Sequence, residues 1–156
     1  MAEIKIRRYK KSDLNDVKKL HVFALKETGA YLKSENLDKD LDNIEEVYLK
    51  GGGFIVGLLN DKIIAMGAIR RISNERAEIK RMRVHPDFQR IGFGQLILNR
   101  LEKRAKGLGF KMLQLDTTVK QVAAQNFYRK NIYAEVKRKN LTGLETVYYQ
   151  KIVTQK

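Results

Sequence analysis

The chain has 156 residues, 43% of them apolar and 32% charged, a composition that builds a buried core and excludes both a multidomain machine and a disordered polymer. Lys and Arg number 32 against 18 Asp and Glu, a formal net charge of +14 that points to anionic partners. With no cysteine, disulfide scaffolds, thiolate metal sites and any mechanism that parks a group on a protein thiol are excluded.

In chain order, Ile4 and Ile6 alternate with polar residues as in a short strand. Ser12 is the expected N-cap of a helix carrying Leu14, Val17, Leu20, Ala24 and Leu25, closed by Gly29. Leu37, Leu41, Ile44 and Tyr48 recur at helical spacing, predicting a second helix ended by Gly51, Gly52 and Gly53. Phe54–Leu59 and Lys62–Ile72 are β-rich runs joined by Asn60 and Asp61, a two-residue hairpin that makes them antiparallel. Ala77–Val84 is the next strand; regular alternation puts Glu78, Lys80, Met82 and Val84 on one face, and a bulge would break that assignment. A helix with Ile97, Leu101, Ala105 and Leu108 on its apolar stripe comes next, ended by Gly107 and Gly109. Met112–Thr117 reads as a buried strand, and one helix between two strands makes them parallel. Val122–Lys130 is a short helix, and strands at Tyr133–Lys139 and Glu145–Ile152 are separated by Thr142 and Gly143. No repeat, linker or second hydrophobic unit interrupts residues 1–156, which are expected to form a single domain.

The charge is unevenly spread. Residues 1–50 hold 11 basic and 10 acidic side chains, whereas residues 51–156 hold 21 and 8. Within the balanced part, Glu35, Asp38, Asp40, Asp42, Glu45 and Glu46 stand against Lys39 alone, either a solvated helix face or an acidic lip for a cationic substrate. No apolar run succeeds Met1, and Phe54–Leu59 and Ile63–Ile69 fall far short of the roughly 20 residues of a membrane span, so a cytoplasmic protein with no membrane partner is expected.

The chemistry concentrates around Pro86, the single proline, which lacks an N–H and ends strand pairing. The chain then enters a helix through QRIGFG, residues 89–94, whose Gly92 and Gly94 let backbone N–H groups approach an anion at a helix N-terminus. Arg90 is either a charge-assisted contact to that anion or an ordinary exposed surface arginine. The stretch is neither a P-loop nor the dinucleotide GxGxxG. His21 and His85 read as structural, and neither belongs to a metal-ligand pattern, so no metal is expected.

Taken in order, ERAEIKRMRVHP, QRIGFG, the helix, MLQLDT and AQNFYRK resemble the GNAT family of GCN5-related N-acetyltransferases, specifically over residues 76–133. The resemblance implies an α/β (α+β) fold: a mixed, mostly antiparallel sheet of six to seven strands with a splayed central parallel pair, flanked by about four helices. It implies acetyl-CoA as the acetyl donor, its pyrophosphate on Gln89, Arg90, Ile91, Gly92, Phe93 and Gly94, and its pantetheine and acetyl group beside Met82, Arg83 and Val84. Asn126 then contacts CoA and the Tyr128 hydroxyl lies near its sulfur, while Phe127 is core. Where the family carries a glycine before its final aromatic residue, this chain has Ile132, which shifts the expected left-handed position to Asn131.

Acetyl transfer to an amine needs a neutral nucleophile, a polarised thioester carbonyl and a proton for the thiolate. Deprotonating a lysine-like amine at pH 7 costs about 4.6 kcal/mol, so a base or water relay is required. The family resemblance makes Glu78 the candidate base through ordered water, against the plainer reading of a Glu paired with a nearby Arg or Lys. Tyr128 is the candidate acid, and the backbone N–H near Val84 the carbonyl's partner. The expected activity is direct transfer in a ternary complex to a primary amine of a small molecule or peptide; a homodimer is compatible with the family. The alternatives are a protein N-terminal or lysine acetyltransferase, a non-catalytic acyl-CoA sensor, and a basic nucleic-acid-binding module, the last disfavoured by scattered charge and the lack of an aromatic RNA-reading motif.

Overall fold

In the computed structural model, described for residues 3–28, 39–141 and 143–154, turn chemistry and apolar periodicity produce seven strands and three α-helices. The order is β1 (Lys5–Arg8), α1 (Leu14–Thr28), β2 (Gly53–Leu59), β3 (Lys62–Arg71), β4 (Arg76–Val84), α2 (Phe93–Gly107), β5 (Met112–Thr118), α3 (Val122–Lys130), β6 (Ala134–Leu141) and β7 (Leu144–Ile152). Gly29, Glu35, Leu37, Asp38 and Thr142, to which the sequence assigns roles, lie outside the described residues. The strands form one sheet in the order β1-β2-β3-β4-β5-β7-β6, antiparallel throughout except for the parallel β4–β5 pair.

Local chemistry accounts for the connections. Asn60 and Asp61 both have positive φ, 51° and 63°, the twist of a tight primed turn that matches the strands of the β2–β3 hairpin. At the end of α2, Gly109 takes φ 88°, its N–H bonds Lys106 O, and Phe110 N–H reaches back to Ala105 O, so the buried Phe110 ring closes a Schellman cap. The start of α1 differs from expectation. Ser12 lies inside a one-turn 3₁₀ segment, Lys11–Asp13, and it is the Asp13 carboxylate that accepts the Lys10 N–H at 2.9 Å, because Arg7 holds that carboxylate with two further bonds.

The second predicted helix is also different over its described part. Residues 39–42 form a 3₁₀ turn and Glu45–Leu49 a π-helical turn, which still bury Leu41, Ile44 and Tyr48 beside Phe54, Val56, Met66 and Ala68. Wider winding puts these three side chains on the sheet without a regular α-helical register. This cluster, with Val17 and Leu20 of α1, covers one face of the sheet; Ile97, Leu98, Leu101 and Ala105 of α2 cover the other, against Ala65, Ile69, Ala77, Ile79, Leu113 and Tyr149. Among the described residues no helix is long and apolar enough to cross a membrane.

After α3 the left-handed residue is Ile132, at φ 71°, and not Asn131, at φ −91°. Asn131 is kept out of that conformation because its side chain is used elsewhere, donating to Phe127 O at 2.9 Å and exchanging two hydrogen bonds with Gln95. A β-branched residue at positive φ costs about 1–2 kcal/mol. Ile132 is also 78% exposed, so its side chain returns little packing. Replacing Ile132 by Gly is therefore expected to raise stability by about 1 kcal/mol, the relief of strain exceeding glycine's entropy cost, and to move the thermal midpoint up by about 3 °C. A calorimetric scan of the two proteins measures it.

Candidate functional site

The site begins with an irregularity in β4. Between the pairs Met66↔Arg83 and Ala68↔Lys80, β4 advances three residues while β3 advances two, and Arg81 absorbs the extra residue at φ 58°. The bulge reverses the facing of the residues beyond it. Glu78 lies on the α1 face of the sheet, but Met82 and Val84 pack with Ala77 and Ile79 on the α2 face, so the regular alternation expected from the sequence does not hold. Gly67 makes room for this: a Cβ there would lie 2.8 Å from Met82 Sδ, 2.7 Å from Ile97 Cγ2 and 2.9 Å from Leu101 Cδ1.

On its other edge β4 pairs with β5 only through Arg76↔Met112, Ala77↔Leu113 and Glu78↔Gln114. Beyond Glu78 the two parallel strands separate and leave a slot with unpaired backbone. His85 N–H bonds Ile64 O on β3 at 2.7 Å, so the N–H of Val84, one residue earlier, points the opposite way, into the slot. The Val84 carbonyl on the same side is taken by the Gln89 side-chain amide at 2.9 Å, which ties the loop to the strand end.

That loop leads to the N-terminus of α2. Arg90 and Gly92 adopt φ 64° and 98°, and the first helical bond runs from Leu96 N–H to Gly92 O, leaving the N–H groups of Phe93, Gly94 and Gln95 without intrahelical acceptors. A Cβ at Gly92 meets nothing within 4 Å, and one at Gly94 meets only Val84 Cγ2 at 3.7 Å and Phe127 Cζ at 4.0 Å, so the glycines serve conformation and an open approach to the N–H groups rather than internal packing. Arg90 and Ile91 are exposed, and Phe93 leans towards Phe88 at 6.4 Å between ring centres. The arrangement leaves a cradle of three open backbone N–H groups at a helix N-terminus, the geometry that suits an anion.

From α3, Phe127 reaches this strand end, and the Tyr128 ring is buried at 6% exposure, stacked edge-on with Phe127 and Tyr133. Burial raises the Tyr128 hydroxyl well above its ordinary pKa, partly countered by the positive charge of Arg83, so the group stays protonated at neutral pH. No hydrogen bond among the described residues engages it. Asn126 is exposed and accepts from Arg129 Nη1 at 3.1 Å. Met82, Val84, Gly94, Phe127 and Tyr128 are therefore brought together on one side of the sheet. Glu78 stands on the other side, at the root of the slot, bonded to Arg70 at 2.6 Å. Arg83 also points to that side, donating to Met82 O and to His21 Nδ1 at 3.3 Å.

Sequence reasoning missed a group of buried polar side chains on the α1 face. Asp40 accepts from Arg81 Nε at 2.9 Å and from the Tyr48 hydroxyl, while Arg81 Nη1 lies 3.4 Å from Nε2 of His21, a residue 1% exposed. Burial opposes the Asp40 charge, but the hydrogen bonds and charge of Arg81 outweigh it and hold the carboxyl below its usual range. Asp40 thus points inward, not onto an outer helix face, and of the other acidic residues nearby Asp42 pairs with Lys18 and Glu46 with Lys50. Gln95 was likewise missed; its paired amide bonds to Asn131 lock the start of α2 to the end of α3, and a side chain so polar in a glycine-rich helix start was the available signal.

Residues 19–132 match the family model described as the acetyltransferase (GNAT) family. A GNAT-family acetyltransferase from Staphylococcus aureus Mu50 has the same fold at a TM-score of 0.88, with 24% identity over 97% of this chain and 99% of that one. An acetyltransferase from Streptococcus agalactiae 2603 gives 0.87 with 20% identity, covering 96% and 98%. The PaiA N-acetyltransferase of Thermoplasma acidophilum, solved with coenzyme A, gives 0.76 with 20% identity, covering 96% and 99%. No curated protein matches the sequence.

Cutting the bond that holds the bulge has a defined cost. Asp40→Asn removes the carboxylate charge that Asp40 presents to Arg81, whose side chain is 10% exposed, and is expected to lower stability by about 3 kcal/mol in urea unfolding. Because the folded-state pKa of Asp40 is depressed, this contribution is complete above the unfolded carboxylate value near about 4 and disappears as pH falls through the lower folded value. The difference between wild type and variant should accordingly shrink in acid.

Proposed function

Because the chain belongs to the GNAT acetyltransferase family, we propose that it transfers an acetyl group from acetyl-CoA directly to a primary amine of a small molecule or peptide, in a ternary complex. The observation that carries this reading is the convergence of the N–H cradle of α2 with the slot between β4 and β5. The donor's diphosphate fits the N–H groups of Phe93, Gly94 and Gln95, with the Gln89–Gly92 loop around it, Arg90 adding charge and Asn126 contributing from α3. Its amide-bearing arm fits against the unpaired edge of Met82, Arg83 and Val84.

Each chemical requirement then has a group. The Val84 N–H, aimed into the slot, polarises the thioester carbonyl. Glu78 takes the amine's proton through water, with Arg70 fixing its carboxylate, from the face opposite the donor cradle. As the C–N bond forms and the C–S bond breaks, Tyr128, kept protonated by burial, passes its proton to the departing thiolate. The two faces of the slot thereby separate donor from acceptor.

Incubation with acetyl-CoA and a panel of amines is expected to release free CoA, read with a thiol reagent; tight CoA binding with no release across the panel would convert the reading to a sensor. Tyr128→Phe should fold normally, since no hydrogen bond is lost, and lower kcat about 100-fold. Full activity in that variant would remove the acid role. Gly94→Asp places a carboxylate where the diphosphate sits; the fold should hold, an acid being favourable in a first helical turn, while CoA affinity falls at least about tenfold by calorimetry.

A further inference from the structure

Of the acidic stretch before β2, Asp40, Asp42 and Glu46 are each paired with a neighbouring cation. The acceptor face of the slot instead presents one uncompensated carboxylate. On β5, Leu113, Leu115 and Thr117 are buried towards α2 and α3, which turns Gln114, Asp116 and Thr118 to the side of Glu78. Asp116 is two residues past the last β4–β5 pair, where the strands have separated. Glu78 is bonded to Arg70, while Asp116 has no ionic or hydrogen-bonding partner among the described residues. Two residues on, Thr118 Oγ1 is buried with no hydrogen-bond partner.

The surroundings favour a cation. Asp116 sits directly opposite Tyr148 on β7, whose ring already carries the Lys137 ammonium 4.8 Å from its centre. Asp116 and Glu78 both push the Tyr148 hydroxyl's pKa up, after burial, which places both carboxylates within electrostatic reach of the same phenol. The buried cluster under α1 includes no residue of β5, β6 or β7. In a chain of net charge +14, a carboxylate with no ion-pair partner among the described residues is a point of attraction for a protonated amine.

We propose that Asp116 is the specificity-determining residue that receives the acceptor's ammonium group, and hence that the acceptor is an alkylamine that arrives protonated. The inference rests on the reading of the slot as the site of acetyl transfer. Asp116 is a binding group; proton removal remains with the Glu78 water relay.

The test compares wild type, Asp116→Asn and Asp116→Glu with 1,4-diaminobutane as the acceptor probe. Asp116→Asn is expected to raise the acceptor KM about tenfold, with kcat and the KM for acetyl-CoA within about twofold of wild type, and Asp116→Glu to recover most of the loss. An unchanged acceptor KM in Asp116→Asn, or an equal rise in the KM for acetyl-CoA, overturns the proposal. If wild type releases no CoA, the transfer reading fails by itself, and calorimetry of the diamine with the CoA-loaded protein decides the inference. Heat that vanishes in Asp116→Asn supports it; identical affinity in both proteins, or no binding to wild type, overturns it.

Discussion

One extra residue in β4 governs the rest. Arg81, held at positive φ, shifts the strand by a single position, and a one-residue shift exchanges the two faces of everything beyond it. Met82 and Val84 thereby join the core under α2, and Arg83 turns to His21. The same shift brings the end of β4 away from β5 after Glu78. A backbone conformation this unfavourable persists only where side chains over-determine it. Here the Asp40 carboxylate grips the Arg81 guanidinium from the segment before β2, and Tyr48 fixes Asp40 in turn. The anchor is remote in sequence and adjacent in space.

Two consequences meet at the slot. Unpaired backbone on the β5 side of β4 supplies hydrogen-bonding groups without further side chains, and the Gln89 amide reserves the Val84 N–H by occupying only the neighbouring carbonyl. The start of α2 and the end of α3 are tied together by Gln95 and Asn131, which fixes the α2 amides relative to the helix that carries Tyr128. That coupling explains why Ile132 is left in a left-handed conformation: the neighbouring asparagine, the residue better suited to it, is spent on the clamp.

The charge pattern acquires a finer meaning once partners are known. Much of the acidic complement is consumed within the protein, by Arg7, Lys18, Arg70, Arg81, Arg138 and Lys151. Cations remain exposed along α2 at Arg100, Lys103 and Lys106, with no acidic partner among the described residues, on the helix whose N-terminus forms the cradle. The positive surplus thus runs along the exposed side of α2, and Asp40, from the segment that looked like a negative lip, braces the bulge.

Periodicity and turn residues made most of the architecture legible: the Asn60–Asp61 hairpin, the apolar stripe of α2, the strand-helix-strand unit that requires β4 and β5 to be parallel, and the QRIGFG helix start all arise from local rules of backbone geometry. Those rules act within a few residues, so the sequence alone determined most of the elements, their order and the glycine-rich start of α2. It did not determine the faces. Whether Met82 lies beside Glu78 or behind it depends on Arg81 meeting Asp40 across 41 residues. Asp116 could be read only as an ordinary residue of a buried strand until β7 set Tyr148 against it and β4 diverged. Bulge, splay and charge pairing are products of long-range packing, whose energies sum over partners that no local pattern specifies, and for that reason only the tertiary structure decided them.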